Sequence, residues 1–255
     1  MKRYFLFFFI ILSNLVLLTV GCLPDPPTQE EPCTITSTIR TKYNNDAIRL
    51  AIRMQQNGSG ADQVLISESL IDRAMNALSA VYNSTSSARD TVVSTYDIHT
   101  LPYPEFDEFR IEVDTNQTWV KEWVKEKTLT GNTTIDDLMT TYGLSLEAYV
   151  SSAINYVVIF SLDPINIAAL VDNFEEVPGV INVQYDDVTT GGNDIVVQDL
   201  GSVVKLTYKV GYDDASTINN CTGNCDKVRS WVFDTQVTTD ICDSEFIESF
   251  GDPAP

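Results

Sequence analysis

The stretch YVVIFSLDPINIAALVDNFEEVPGVINVQY, residues 156–185, decides how this chain is expected to fold. Its beginning, Tyr156–Ser161, is an apolar run typical of a buried strand. Its end, residues 180–185, alternates apolar and polar side chains as a second strand does. Between them, residues 166–176 carry four apolar side chains on one side of a helix, namely Ile167, Leu170, Val171 and Phe174. The segment is therefore predicted to be a βαβ unit, with parallel strands joined by a right-handed crossover.

The turn VPGV at residues 177–180 adds a resemblance to this prediction. The unit resembles one half of the ferredoxin-like fold of protease propeptides and inhibitors, in which a helix ends in a similar turn before a strand. The resemblance covers about 30 of the 255 residues. It implies a shape and, as one alternative for function, inhibition of a protease.

Hydrophobic periodicity extends this prediction in both directions along the chain. Helices are expected at residues 46–56, 67–82, 119–127, 134–139 and 145–152, and a half-buried strand at 109–113. Four antiparallel strands are expected at residues 194–199, 203–212, 228–237 and 244–250. We therefore predict an α+β fold, with N-terminal helices, a ferredoxin-like βαβ unit and an antiparallel C-terminal sheet. Residues 46–255 are expected to form a single domain, which the pattern also allows to be divided into a helical subdomain, 46–100, and a β-rich part, 107–255.

The N-terminus carries a targeting signal. Two basic residues, Lys2 and Arg3, precede the apolar residues 4–20 and then Gly21-Cys22, so residues 1–21 are predicted to be a signal peptide. The sequence LLTVGC at residues 17–22 resembles the lipobox of bacterial lipoproteins. That resemblance implies that Cys22 is acylated after cleavage at Gly21. An uncleaved membrane anchor and an ordinary signal peptide are the alternatives.

Lipidation would determine the location of the protein. A triacylated Cys22 would hold the chain at a membrane, because more than one acyl chain is needed for stable anchoring. Leu23 follows the cysteine, where an aspartate would resemble an inner-membrane retention signal, so the outer membrane is the predicted location. Residues 22–45 are expected to form the anchor and a proline- and acid-rich tether.

The net charge of the chain excludes some partners. The whole chain has 16 basic and 36 acidic residues and a net charge of −20. Loss of Lys2 and Arg3 with the signal peptide would leave 14 basic residues and a charge of −22. Such a surface repels phosphate backbones and anionic headgroups, so neither nucleic acid nor a membrane bound through a basic patch is an expected partner. Cations or a basic protein would be attracted.

The five cysteines fit an exported protein. With Cys22 assigned to lipid, Cys33, Cys221, Cys225 and Cys242 are an even number and are expected to form two disulfides. Three connectivities are possible. The turn residues between Cys221 and Cys225 favour a small closed loop, which would leave Cys33 to pair with Cys242. Zinc binding is the alternative, disfavoured because no histidine is nearby.

The chain shows no strong catalytic motif. Its only histidine, His99, is expected to be a structural hydrogen-bonding residue. Acidic pairs suitable for a glycan hydrolase occur at Asp136-Asp137, Glu175-Glu176, Asp186-Asp187 and Asp213-Asp214. One acidic loop also offers oxygen ligands of the kind that Ca²⁺ prefers, from Asp186, Asp187, Asn193 and Asp194.

The end of the chain, residues 225–251, resembles the C-terminal signature of a family of exported proteins of Gram-negative bacteria. The residues that carry the resemblance are Cys225, Trp231, Phe233, Cys242, Phe246 and Gly251. The resemblance implies no activity. We therefore expect a non-catalytic binding or structural module that meets the membrane through Cys22 and takes a protein or glycan ligand. A glycan-directed acid-pair hydrolase and a protease-inhibitor-like module are the alternatives.

Overall fold

A computed structural model describes residues 35–185, 192–213, 217–218, 225–237 and 242–253. The helices are α1 (Ser37–Gln56), α2 (Glu68–Asn83), α3 (Ser87–Arg89), a π-helix (Asp90–Thr95), α4 (Val120–Val124), α5 (Thr133–Thr141) and α6 (Ile167–Glu175). The strands are β1 (Glu108–Val113), β2 (Leu144–Val150), β3 (Tyr156–Ser161), β4 (Val180–Gln184), β5 (Asn193–Asp199), β6 (Val203–Asp213), β7 (Thr217–Ile218), β8 (Lys227–Val237) and β9 (Cys242–Gly251). These elements form two antiparallel sheets with helices, so the predicted α+β class is confirmed.

The middle of the chain forms a ferredoxin-like lobe with the element order β1-α4-α5-β2-β3-α6-β4. Its four strands lie in the order β2-β3-β1-β4. Strand β1 pairs antiparallel with both β3 and β4, so β3 and β4 run parallel to each other with β1 between them. This is the split βαβ arrangement. The predicted βαβ unit is thus one half of a complete ferredoxin-like lobe.

The two ends of the chain together build a second lobe. Its sheet has the order β5-β6-β8-β9, with β7 paired to β6, and the four predicted antiparallel strands are its main strands. Helices α1 and α2 share one hydrophobic core with this sheet, which includes Tyr43, Leu78, Tyr208 and Phe233. The N-terminal helices therefore do not form a separate subdomain from the β-rich part. Instead, the ferredoxin-like lobe lies in sequence between the helices and the sheet that they cover.

Two of the predicted elements differ from the structure. Helix α1 begins at Ser37, so residues 37–45, assigned to the tether, are helical. Thr36 caps it, because the Ile39 N–H donates to Thr36 Oγ1 over 3.2 Å. The polar and β-branched residues of this first part hide the helical period, although Ile39 and Tyr43 are fully buried. The predicted helix at 145–152 is instead strand β2, whose pairing with β3 outweighs its weak helical pattern.

Asn166, at the N-terminus of α6, joins the two lobes. Its backbone N–H donates to the Val64 carbonyl over 2.8 Å, and its Nδ2 donates to the carbonyls of Ala61 and Gln63. Its Oδ1 accepts a bond from Gln56 Nε2 at the end of α1. The residue is fully buried, so each of these bonds satisfies a group that water cannot reach. Within the described ranges, no helix is long and apolar enough to cross a membrane.

We expect Asn166→Ala to lower the free energy of unfolding by about 2 kcal/mol, because Gln56 and the carbonyls of Ala61 and Gln63 each lose a hydrogen bond at a buried site. Chemical denaturation monitored by circular dichroism would measure the change. Asn173→Ala is the matched control, since Asn173 is exposed on the same helix and should change stability by less than about 0.5 kcal/mol. Equal effects of the two substitutions would contradict this role for Asn166.

Candidate functional site

The single histidine lies in a charged cluster beside α1. His99 Nδ1 is 2.6 Å from Asp46 Oδ2, and Asp46 Oδ1 accepts two bonds of 2.7 Å from the N–H and hydroxyl of Thr100. Asp46 is buried on α1, whereas the side chain of His99 is 37% exposed. The second ring nitrogen, Nε2, is 3.6 Å from Asp97 Oδ1, and Asp97 also pairs with Lys42. The cluster ties the segment 97–100 to α1.

Electrostatics favour a charged imidazolium in this cluster. The hydrogen bond to Asp46 raises the pKa of His99, and the charges of Asp46 and Asp97 act in the same direction against the opposing effects of burial and Lys42. The hydrogen bond from Lys42 lowers the pKa of Asp97. A histidine held between two carboxylates is a weaker general base than a free imidazole, because the raised pKa favours its protonated form. Among the described residues, Nε2 has no hydroxyl or thiol partner that it could activate.

The predicted calcium loop lies partly outside the described residues, which exclude Asp186 and Asp187. Asp194 is described, and its Oδ1 accepts bonds from Arg53 Nη1, Leu101 N–H and Ile195 N–H at 2.9 to 3.0 Å. The guanidinium of Arg53 already compensates the charge of this carboxylate, which disfavours Asp194 as a metal ligand. In the part of the chain that the structure describes, no group of three or more His, Cys, Asp or Glu residues could hold a metal ion.

The acidic pairs serve local structure where they are described. Asp136 accepts bonds from the N–H groups of Thr130 and Gly131 at 2.6 and 2.8 Å, before the first turn of α5. Glu175 Oε1 accepts from Val183 N–H over 3.4 Å, and Asp213 Oδ1 accepts from Asp226 N–H over 3.1 Å. In each of these pairs, one carboxylate is thus bound to backbone amides.

Two of the predicted disulfide cysteines, Cys225 and Cys242, are described, and Cys22, Cys33 and Cys221 lie outside the described residues. Cys242 begins β9 opposite the last residue of β8, and Cys225 comes two residues before β8 begins. The length of β8 separates these positions by about 33 Å at about 3.3 Å per residue. A disulfide needs Cα atoms within about 7 Å. Pairing of Cys225 with Cys242 is therefore excluded, and two of the three connectivities stay open.

A groove of about 880 Å³ lies along strand β5. We call it the β5 groove. One wall is formed by residues 196–199 of β5, and the other by the end of α1, the turn at residues 57–60 and the start of α2. The described lining consists of amide, hydroxyl, aliphatic and glycine residues with one carboxylate: Met54, Gln55, Asn57, Gly58, Ser59, Gly60, Gln63, Ser67, Leu70, Val196, Val197, Gln198 and Asp199. Its volume lies in the range of ligand-binding pockets.

Buried Gln55 fixes the helical wall of the β5 groove. Its Nε2 donates to the carbonyls of Gln63 and Leu65 at 2.7 and 3.3 Å, and its Oε1 accepts from Ser67 N–H at 3.4 Å. Gly60 lets the loop approach this side chain, since a Cβ at that position would come within 3.2 Å of Gln55 Cγ. The wall is therefore held in place without any ligand.

A guanidinium holds the one carboxylate of the described groove lining. Arg73 donates to both oxygens of Asp199 at 2.9 and 3.1 Å, and Gly201 N–H adds a third bond of 2.9 Å. Burial alone would raise the pKa of Asp199, but these bonds outweigh burial and lower it. Asp199 is therefore ionised and cannot donate a proton near neutral pH.

Comparisons with protein-family models, with curated proteins and with solved structures found no match to the chain.

Sequence reasoning did not identify the β5 groove. The turn at residues 57–60 was predicted as the end of a helix, and residues 194–199 as one strand of a sheet, and both predictions are confirmed. Nothing in the one-dimensional pattern shows that β5 lies at the edge of its sheet or that the turn lies beside it. A Gly-Ser-Gly turn after a helix was the only local signal for a backbone that approaches another element closely.

We expect the contribution of His99 to stability to depend on pH. Because the pKa of His99 is raised in the folded state, the stabilisation is fully present below the unfolded pKa of about 6.5 and is lost as pH rises through the folded pKa. His99→Gln keeps a hydrogen-bond donor for Asp46 but carries no charge. Urea denaturation should show a larger loss of stability in this variant at pH 5.5 than at pH 9. A loss that is equal at both pH values would contradict the charged pair.

Disulfide connectivity predicts unequal effects of two double substitutions. A bridge from Cys33 to Cys242 would close a loop of about 210 residues, and the chain-entropy estimate gives it about 5 kcal/mol, against about 2 kcal/mol for a bridge from Cys221 to Cys225. Replacing the first pair by serine should therefore lower the melting temperature more than replacing the second pair. Non-reducing peptide mapping is the direct measurement, and a Cys33 to Cys225 linkage would contradict the predicted pairing.

Proposed function

We propose that this protein is an exported lipoprotein of the outer membrane whose folded part binds a ligand without converting it. The observation that carries the binding role is the β5 groove, which is large, has a fixed helical wall and contains no group suited to proton transfer among its described residues. Its described lining has neither histidine nor cysteine, and the carboxylate in that lining is ionised and paired with Arg73. General acid-base chemistry needs a group whose pKa lies near the working pH. A groove of this composition supports binding better than catalysis.

The distance between the groove and the charged cluster supports the same proposal. The aspartate that anchors His99, Asp46, lies in the middle of α1, whereas the groove lies at the end of that helix and along the turn after it, at residues 54–60. At 1.5 Å per residue, the eight residues from Asp46 to Met54 correspond to about 12 Å along the helix. None of the residues in the His99 cluster lines the groove. The histidine therefore cannot act on a molecule bound there through a direct hydrogen bond.

The membrane location in this proposal rests on the N-terminal sequence. The basic residues Lys2 and Arg3, the apolar residues 4–20 and Gly21-Cys22 have the order of a lipoprotein signal. Acylation of Cys22 would tether a domain whose net negative charge would otherwise be repelled by anionic lipid headgroups.

The proposal also includes a Ca²⁺ site in the acidic loop. Any site in the acidic loop would depend on Asp186, Asp187 and Asn193, because Asp194 Oδ1 is already bound by Arg53. Asn193 supports such a site, since its buried Oδ1 has no hydrogen-bond partner among the described residues. An amide oxygen of this kind is a suitable ligand for Ca²⁺.

Expression of the full chain in a Gram-negative host tests the anchor. We expect the wild type in the outer-membrane fraction, with acyl chains on an N-terminal peptide that begins at Cys22 in mass spectrometry. Cys22→Ser should abolish acylation and release the protein from that fraction, whereas Cys33→Ser, the matched control, should leave the anchor intact. An unmodified thiol at Cys22 in the wild type would contradict the lipoprotein assignment. Turnover of peptides or glycans by the purified chain would contradict the non-catalytic role.

A further inference from the structure

Strand β5 is an edge strand whose outer side is only partly satisfied. It pairs with β6 on one side and with no other described strand. The Ile195 carbonyl accepts a bond of 2.5 Å from Arg53 Nη1, so the backbone groups of Ile195 face away from β6. The N–H of the same residue is taken by Asp194 Oδ1 at 2.9 Å. This outward-facing residue of the edge is therefore capped on both its donor and its acceptor.

The next outward-facing residue, Val197, is not capped. Backbone direction alternates along a strand, so the N–H and carbonyl of Val197 face the same side as those of Ile195. Neither group has a hydrogen-bond partner among the described residues, and Val197 lines the β5 groove. Exposed donors and acceptors of an edge strand are a template for another extended chain. The groove therefore leaves this template open at Val197.

Besides the backbone hydrogen bonds, the groove offers apolar and polar surface for the side chains of a short extended chain. Leu70, Met54 and the side of the strand at Val196 offer apolar surface for one side chain. Gln63, Ser59 and Gln198 add polar groups to the lining. Arg53 closes one end at Ile195, and the Arg73 pair with Asp199 closes the other, so the space fits a few residues only.

We propose that the β5 groove binds an extended peptide segment of about three to five residues, which adds to the edge of β5 through the backbone of Val197. This inference rests on the proposed binding function and assigns its ligand class. Main-chain hydrogen bonds give such a complex its affinity, and the apolar wall at Leu70 selects a side chain. The strand and the loop are both in place before binding, so little order has to be created when the peptide binds.

A peptide fits this groove better than a glycan does. The apolar faces of sugar rings are commonly held against aromatic side chains, and the described lining of the groove has none. The groove instead presents the N–H donor and the carbonyl acceptor of one residue on an edge strand. A second extended chain pairs with both of these groups. The paired charges at Asp199 also give no net attraction for an ionic ligand.

The test is selection of random heptapeptides displayed on phage against the full chain in detergent. Two tryptophan variants make the selection specific. Ser59→Trp fills the groove from its exposed turn, and Ala61→Trp places the same side chain on the same turn outside the lining. We expect to select peptides that bind the wild type and Ala61→Trp. Their affinity for Ser59→Trp should be at least 10-fold lower. Failure to select any such peptide would overturn the proposal.

Backbone pairing is tested on both partners. Val197→Pro removes the outward N–H at an edge position where proline is tolerated, and it should weaken the selected peptide at least 10-fold while the melting curve stays cooperative. N-methylation of the peptide at alternate residues should abolish binding in one register only. This second measurement keeps the test valid if Val197→Pro does not fold.

Binding that is insensitive to N-methylation at every residue would overturn the proposal. A glycan that is blocked by Ser59→Trp would overturn the peptide assignment but not the binding role of the groove, and neither result depends on Cys22.

Discussion

The guanidinium of Arg53 is the contact on which the arrangement of this protein depends. It lies at the end of α1, and it bonds Asp194 and the Ile195 carbonyl on β5 and the Tyr103 carbonyl in the segment that leads to the ferredoxin-like lobe. One side chain thus joins a helix, a sheet edge and the connection between lobes. Its exposed fraction is 16% and that of Asp194 is 18%, so the pair is shielded and removal of either partner would leave a charge without compensation. The same contact decides where the edge of β5 is closed and where the groove begins.

The order of elements along the chain explains why such contacts between distant segments are needed. The helices α1 and α2 lie far in sequence from the sheet that they cover, and the ferredoxin-like lobe is placed between them. In the second lobe, neither the two helices nor the sheet could bury its apolar surface alone, because a sheet with one apolar face needs a covering layer. Polar contacts at Arg53, Arg73 and Asn166 each bridge more than 100 residues. These directional contacts fix the relative orientation of the helices and strands, which hydrophobic burial alone would not do.

Local patterns predicted much of the fold and little of the candidate site. Alternation located the main strands of the C-terminal sheet, and the turn at residues 177–180 identified half of the ferredoxin-like lobe, because these features follow from side-chain period and turn chemistry. The first turns of α1 were missed, since buried Ile39 and Tyr43 are surrounded by weak helix formers. Strand β2 was assigned as helix because its pattern is short and its state is set by pairing with β3. The groove is built largely from backbone groups and from a turn beside an edge strand, and neither has a residue signature.

The acidic composition and the chemistry of the groove are connected. Many of the basic residues are paired with carboxylates: Lys42, Arg53, Arg73, Arg89, Lys125, Lys127 and Lys205. The uncompensated charge of the chain is therefore negative and lies largely on its surface, where it repels anionic polymers over about 8 to 10 Å at physiological salt. Recognition through an uncharged backbone edge avoids this repulsion, because hydrogen bonds to Val197 and apolar contact with Leu70 need no charge on the ligand. In a protein of this charge, a groove whose described lining holds no free cation is suited to neutral or basic segments, and its specificity has to come from shape and register.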